Sequence, residues 1–137
     1  MREFDAMTYH VARGDQHVFE DRPGHEGQQP RFAADVTSSA ALQYSRARIW
    51  RYPPHTRGRR HKDFGQEEVF VVLDGTLTVL LGEPPERVDL PPRSVLSVEM
   101  GTALQLRNET DDEVVLFAYG APPVTGQSEF VEDVAEL

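Results

Sequence analysis

Residues 42–52 alternate one by one, as a strand with two unlike faces does. Tyr44, Arg46, Arg48, Trp50 and Tyr52 fall on one face, and Gln43, Ser45, Ala47, Ile49 and Arg51 on the other. Pro53-Pro54 then ends the strand, because proline has no N–H to donate. From residue 67 onward the pattern is a run of short strands divided by turns. Residues 68–73 are apolar on both faces after the first, as in a buried strand. Asp74-Gly75 is a hairpin-turn dipeptide, and Gly82-Glu83-Pro84-Pro85 and Pro91-Pro92-Arg93 turn the chain again. Between and beyond these turns, residues 76–81, 87–90, 94–98, 103–107 and 113–119 predict strands, with Leu104 and Leu106 sharing a face. Asn108-Glu109-Thr110-Asp111-Asp112 is a polar turn.

Upstream, residues 31–36 predict one more short strand, and the Gly- and Pro-rich stretch 21–30 predicts a loop. The chain therefore divides into an N-terminal arm and loop (1–30), a β-domain (31–120) and a tail (121–137). Within the tail, residues 128–137 predict a short acidic helix with Ser128 as its N-cap. Many short strands at regular spacing make this an all-β barrel or sandwich.

At 137 residues the chain is one domain with a single core. No window approaches the ~20 apolar residues of a membrane span, and the charged start Met1-Arg2-Glu3-Phe4-Asp5 lacks a signal-peptide core. A cytoplasmic location is the expectation. The net charge of −9 argues against nucleic acid as a partner. Cysteine is absent, which removes disulfides, thiolate ligands and cysteine nucleophiles. Against this acidic background, Arg46, Arg48, Arg51, Arg57, Arg59, Arg60 and Lys62 crowd one stretch. They balance nearby acids at the surface, or they create a local positive field for an anionic small ligand.

The most informative run is His61-Lys62-Asp63-Phe64-Gly65-Gln66-Glu67-Glu68, followed by an apolar strand that ends at Gly75. Written H-x-D-x4-E-x6-G, it resembles the first motif of the cupin superfamily, H-x-H-x3-4-E-x6-G, with Asp63 at the second histidine. The leading glycine is displaced, Gly58 lying closer to His61 than the family pattern has it. Residues 93–108 resemble the second motif, G-x5-P-x-G-x2-H-x3-N. Gly101 and Asn108 match it, whereas Arg93, Glu99 and Leu104 replace its first glycine, its proline and its histidine. The resemblance spans residues 44–119 and implies a double-stranded β-helix, or jelly-roll barrel, with an interior small-molecule pocket. It also implies a homodimer, to which Phe32, Val36 and Leu42 would contribute.

Two states of that pocket stay open. In one, His61 and Asp63 share a strand face, and Glu68 meets them across the 64–66 turn as a three-ligand set. Such a set would hold a divalent metal such as Mn or Fe weakly, because Leu104 removes the fourth donor; His55 or His25 could add one. In the other the pocket is metal-free, and Glu68 pairs with Arg46 or Arg48, since buried carboxylates need partners. The expected ligand pocket is His61, Asp63, Glu68, Arg46, Arg48 and Leu104, with Tyr44, Trp50 and Tyr52 in the core, at an interface or at its mouth. Three functions follow: a small-molecule-binding protein, a metal-dependent dioxygenase or isomerase, or a metal-free isomerase that uses His61 and a carboxylate as acid and base.

Overall fold

The computed structural model describes residues 8–24 and 27–134. Its twelve strands are β1 (Phe19–Arg22), β2 (Arg31–Asp35), β3 (Arg46–Tyr52), β4 (Thr56–Arg57), β5 (His61–Asp63), β6 (Glu67–Asp74), β7 (Leu77–Leu81), β8 (Glu86–Leu90), β9 (Val95–Val98), β10 (Leu104–Asn108), β11 (Val114–Ala121) and β12 (Ser128–Phe130). One turn of helix, α1 (Val36–Ser39), follows β2, with the Asp35 carboxylate accepting from the Ser38 amide as its N-cap.

The strands form two antiparallel sheets. One runs β1-β2-β3-β11-β6-β9; the other runs β12-β5-β10-β7-β8, with β4 also on β10. The inner faces enclose Tyr52, Phe70, Val72, Leu77, Val79, Val98, Leu104, Leu106, Val114 and Leu116. This is the double-stranded, all-β architecture that the strand spacing implies. The Asp74-Gly75 turn is present, with Gly75 at φ +78°, a backbone state that L side chains resist.

Two segments depart from the sequence expectation. β1 forms within the N-terminal arm and pairs with β2 from Phe19↔Ala34 to Arg22↔Arg31. The expected helix at 128–137 is not formed: Ser128–Phe130 is a strand, and 131–134 is irregular. The rest of that expected helix lies outside the described residues. Pairing decides the matter, because β12 lies antiparallel to β5, Ser128 opposite Asp63 and Phe130 opposite His61. Buried side chains then hold the following residues. Arg60 Nη1 donates to the Glu132 carbonyl at 2.7 Å, and Arg107 Nη2 to the Val134 carbonyl at 3.2 Å. Ten residues of helix with one cap are marginal in water, so these tertiary bonds override local propensity. Of the apolar residues expected at a dimer contact, Val36 is buried within the single chain.

Candidate functional site

The inner face of the first sheet changes character along its length. Across β3, β11 and β6, one row of neighbours is Arg46, Gly120 and Glu68, and the next is Arg48, Ala118 and Phe70. Further along, Val114, Leu116 and Val72 fill the barrel. In the first two rows the central strand contributes only a glycine and an alanine. Small residues there leave space that larger ones would close. A cavity of about 350 Å³ opens at this end, bounded on the far side by β5 and β12.

Five of the six residues expected at the pocket line it: His61, Asp63, Glu68, Arg46 and Arg48. The alternation of residues 46–52 is therefore oriented as the even face inward, and it brings Trp50 and Tyr52 to the wall as well. Tyr44 stands before the strand and is exposed. Leu104 does not reach the cavity surface. It sits opposite His61 on β10 and is fully buried in the apolar cluster. It points inward with His61, yet neighbouring apolar side chains cover it.

Each lining group has a definite partner. Asp63 Oδ1 accepts from the amides of Gly65 and Gln66 at 2.8 and 3.1 Å, forming an Asx turn that swings the chain from β5 into β6. Its other oxygen lies 3.4 Å from the Ser128 hydroxyl. His61 Nδ1 is 3.0 Å from the Arg59 carbonyl. A carbonyl only accepts, so Nδ1 carries the proton, and Nε2 of the neutral ring keeps its lone pair. Glu68 is half-buried. Loss of solvent pushes its pKa above the ordinary carboxylate value, which His61 opposes, Asp63 reinforces and Arg46 opposes.

That direction fixes a pH dependence. A raised folded-state pKa contributes stability that is complete below the unfolded value and is lost as pH rises through the folded one. At neutral pH the buried Glu68 charge therefore costs stability. Glu68→Gln is expected to melt above the wild type at about pH 7.5 and level with it at about pH 4. Calorimetric scans at the two pH values decide this, and a variant that melts lower at the higher pH would show that Glu68 is paired better than its burial implies.

The donor set does not suit a metal. Among the described residues no three His, Asp or Glu side chains converge to hold an ion. Asp63 spends Oδ1 on two backbone amides, which leaves it one oxygen, Oδ2, to offer. Neither histidine named as a further donor changes this. His55 faces away and pairs with Asp111 at 2.7 Å, and His25 lies outside the described residues.

The structure also places residues at the cavity that no sequence pattern singles out. Arg31 enters from β2, because the register Phe32↔Arg51 carries it level with Tyr52. Its guanidinium lies over Trp50 at 4.8 Å and Tyr52 at 5.4 Å, and Nη1 donates to the Tyr52 hydroxyl at 3.1 Å. Gly58 is the reason this pair fits: a Cβ there would stand 3.0 Å from both Arg31 Nη1 and the Tyr52 oxygen. Phe130 and Ser128 on β12 close the mouth, with Arg59 over the Phe130 ring at 3.8 Å. The one signal for Arg31 was its place at the head of an expected strand, which says nothing of which strand it meets.

Two antiparallel sheets closed around a side-chain-lined cavity define a double-stranded β-helix protein with an interior pocket. The chain belongs to the cupin family: the model of the cupin domain matches residues 48–119. No curated protein matches it in sequence. Its fold is similar to that of the polyketide cyclase RemF from Streptomyces resistomycificus, at 15% identity and TM-score 0.75, over 93% of this chain and 88% of that one. It is similar also to a putative sugar phosphate isomerase from Acidithiobacillus ferrooxidans, at 14% identity and TM-score 0.72, over 93% and 96%. A predicted oxalate decarboxylase from Thermotoga maritima aligns at 16% identity and TM-score 0.71, over 82% and 98%. At these identities the shared property is the fold, and three different chemistries on one barrel leave function to the site.

Proposed function

We propose that this cupin binds a small molecule in the cavity between the His61, Asp63 and Glu68 side and the Arg46 and Arg48 side. The supporting observation is a cavity of about 350 Å³ over the small Ala118 of β11, inside a barrel whose other end is filled, while Gly120 makes room for the Gln66 side chain. The volume lies in the range of small-ligand sites, and apolar walls with a few convergent polar groups are their usual lining. Trp50 is the chain's only tryptophan and stands on the cavity wall, so its emission reports occupancy. A panel of small polar and aromatic compounds is expected to include ligands that shift Trp50 emission saturably. Ala118→Phe, which fills the cavity from its floor, is expected to abolish that shift and keep cooperative unfolding. Equal shifts in wild type and Ala118→Phe would place binding elsewhere.

A second reading, metal-free proton transfer, is favoured by Glu68 and His61 lining the same cavity. Loss of solvent raises the Glu68 pKa, and in the tautomer that donates Nδ1–H to Arg59 the His61 Nε2 is free, so the two could supply an acid and a base. Its mark would be an isomerase or epimerase activity lost in both His61→Gln and Glu68→Gln while Trp50 still reports binding. The metal-dependent alternative is less well supported, since the three oxygen and nitrogen donors do not converge.

A further inference from the structure

The charges around the cavity are unequal. Four guanidinium groups reach it, Arg31, Arg46, Arg48 and Arg59, against the carboxylates of Asp63 and Glu68. This local excess of two positive charges, with His61 neutral, sits in a chain of net charge −9. Asp63 spends one carboxylate oxygen on the Gly65 and Gln66 amides rather than on a cavity arginine.

Three arginines outside the cavity have acidic partners. Arg51 meets Glu113 at 2.9 Å, Arg87 meets Glu109 at 2.6 Å, and Arg107 meets Glu109 at 3.2 Å. Among the described residues, none of the four cavity arginines has a carboxylate within such a distance. Arg31, Arg48 and Arg59 lie instead over aromatic rings, and Arg46 stands across Gly120 from Glu68. Arg48 shows the consequence: burial, then the charges of Arg22 and Arg46, depress its guanidinium below the ordinary value, with Asp35 opposing and Arg31 adding. Arg31 packs against the Trp50 and Tyr52 rings, and among the described residues its buried Nε has no partner. A guanidinium so packed keeps its N–H edge fixed, and that planar edge matches a carboxylate bidentately. Beside these cations the walls are apolar, formed by Phe70, Leu106 and Ala118.

We infer that the ligand is a small organic acid, its carboxylate held by the Arg31, Arg46 and Arg48 wall and its apolar body lying toward Phe70, Leu106 and Ala118. This rests on the reading of the cavity as a small-molecule site and adds the ligand's class. Anion capture turns a self-repelling cation cluster into a neutralised one, which is the largest favourable electrostatic change open to this cavity.

The test uses the full chain, Trp50 emission and titration calorimetry, with five probes: phenylacetate, its near-isosteric neutral counterpart phenylethanol, the cation phenethylamine, acetate and inorganic phosphate. Phenylacetate is expected to bind at least about tenfold more tightly than each of the others. Its affinity should fall as salt is raised. Arg46→Gln and Arg48→Gln, each checked for a native far-UV spectrum, are expected to weaken phenylacetate by about tenfold or more and leave phenylethanol unchanged. Should one variant fail to fold, the other and the salt series carry the same comparison. Phenylethanol or phenethylamine binding as tightly as phenylacetate overturns the acid assignment and leaves the cavity a small-molecule site. Phosphate or acetate binding as tightly removes the apolar body from the inference. No binding by any probe overturns the inference, whereas the reading beneath it falls only if the wider panel also leaves Trp50 emission unmoved.

Discussion

Asn108→Ala is expected to destabilise the protein by about 3 kcal/mol, because it removes a buried side chain that ties three chain segments together. The amide nitrogen of Asn108 donates to the carbonyls of Tyr52, Pro53 and Asp112, at 2.9, 3.1 and 2.8 Å. Its oxygen accepts from the Thr110 amide at 2.9 Å and the Thr110 hydroxyl at 2.7 Å. The side chain is 1% exposed, so alanine would strip the Tyr52 carbonyl of this buried donor and leave those of Pro53 and Asp112 to the Thr56 and Thr110 hydroxyls alone. The three segments are the end of β3, the Pro53 turn and the loop that leads into β11. β3 carries Arg46, Arg48 and Trp50 and pairs with β11 along its whole length, so loosening here reaches the cavity wall. Asn108→Asp is expected to be worse than alanine, since a carboxylate would face three carbonyls. Urea unfolding of the three proteins measures this, and a loss under about 1 kcal/mol for alanine would mean that water or the 109–112 loop replaces the lost donor.

Local pattern carried the parts of this fold that local physics controls. The alternation at 46–52 has the right parity: Arg46, Arg48, Trp50 and Tyr52 do share the cavity face. Asp63 and Glu68 reach one cavity because an Asx turn, legible as Asp-Phe-Gly-Gln, reverses the chain between them. What stayed hidden depends on which distant strands meet. Arg31 reaches the site only through the β2–β3 register, and Phe130 only because β12 pairs with β5. No residue near Arg31 or Phe130 encodes that partner. The same blindness produced the expected C-terminal helix: Ser128 and the acids after it fit a helix start, and only Arg60, Arg107 and the β5 edge show why the segment is extended. Asn108 was read as a turn residue; its turn is real, but its burial and the β3 contact are again non-local.

Leu104→His is expected to cost about 3 kcal/mol or more and to gain no tight metal site. The histidine would stand at the position where the second motif of the family has one, directly across from His61. Cross-strand neighbours of this kind have Cβ atoms about 5 Å apart, close enough for two imidazoles to approach one ion. Two effects oppose that outcome. Leu104 is fully buried among residues such as Val79, Val98 and Leu106, so the exchange loses a leucine from the core and leaves an imidazole N–H without an acceptor. Among the described residues the remaining donors also do not converge, and Asp63 keeps Oδ1 on both turn amides with only Oδ2 left to ligate. One or two imidazoles with carboxylates would favour Mn or Fe(II), and only weakly while Asp63 stays on its turn. Urea unfolding with and without Mn, together with Mn and Zn titration calorimetry of wild type and variant, separates these effects. The expected result is a lower unfolding midpoint that Mn does not restore, and no stoichiometric heat at submicromolar affinity in either protein. A variant as stable as wild type that binds one Mn tightly would show that the Asp63 turn yields readily. His61, Asp63 and Glu68 would then be three quarters of a metal site that this chain closes with leucine, and the metal-dependent reading would move ahead of the metal-free one.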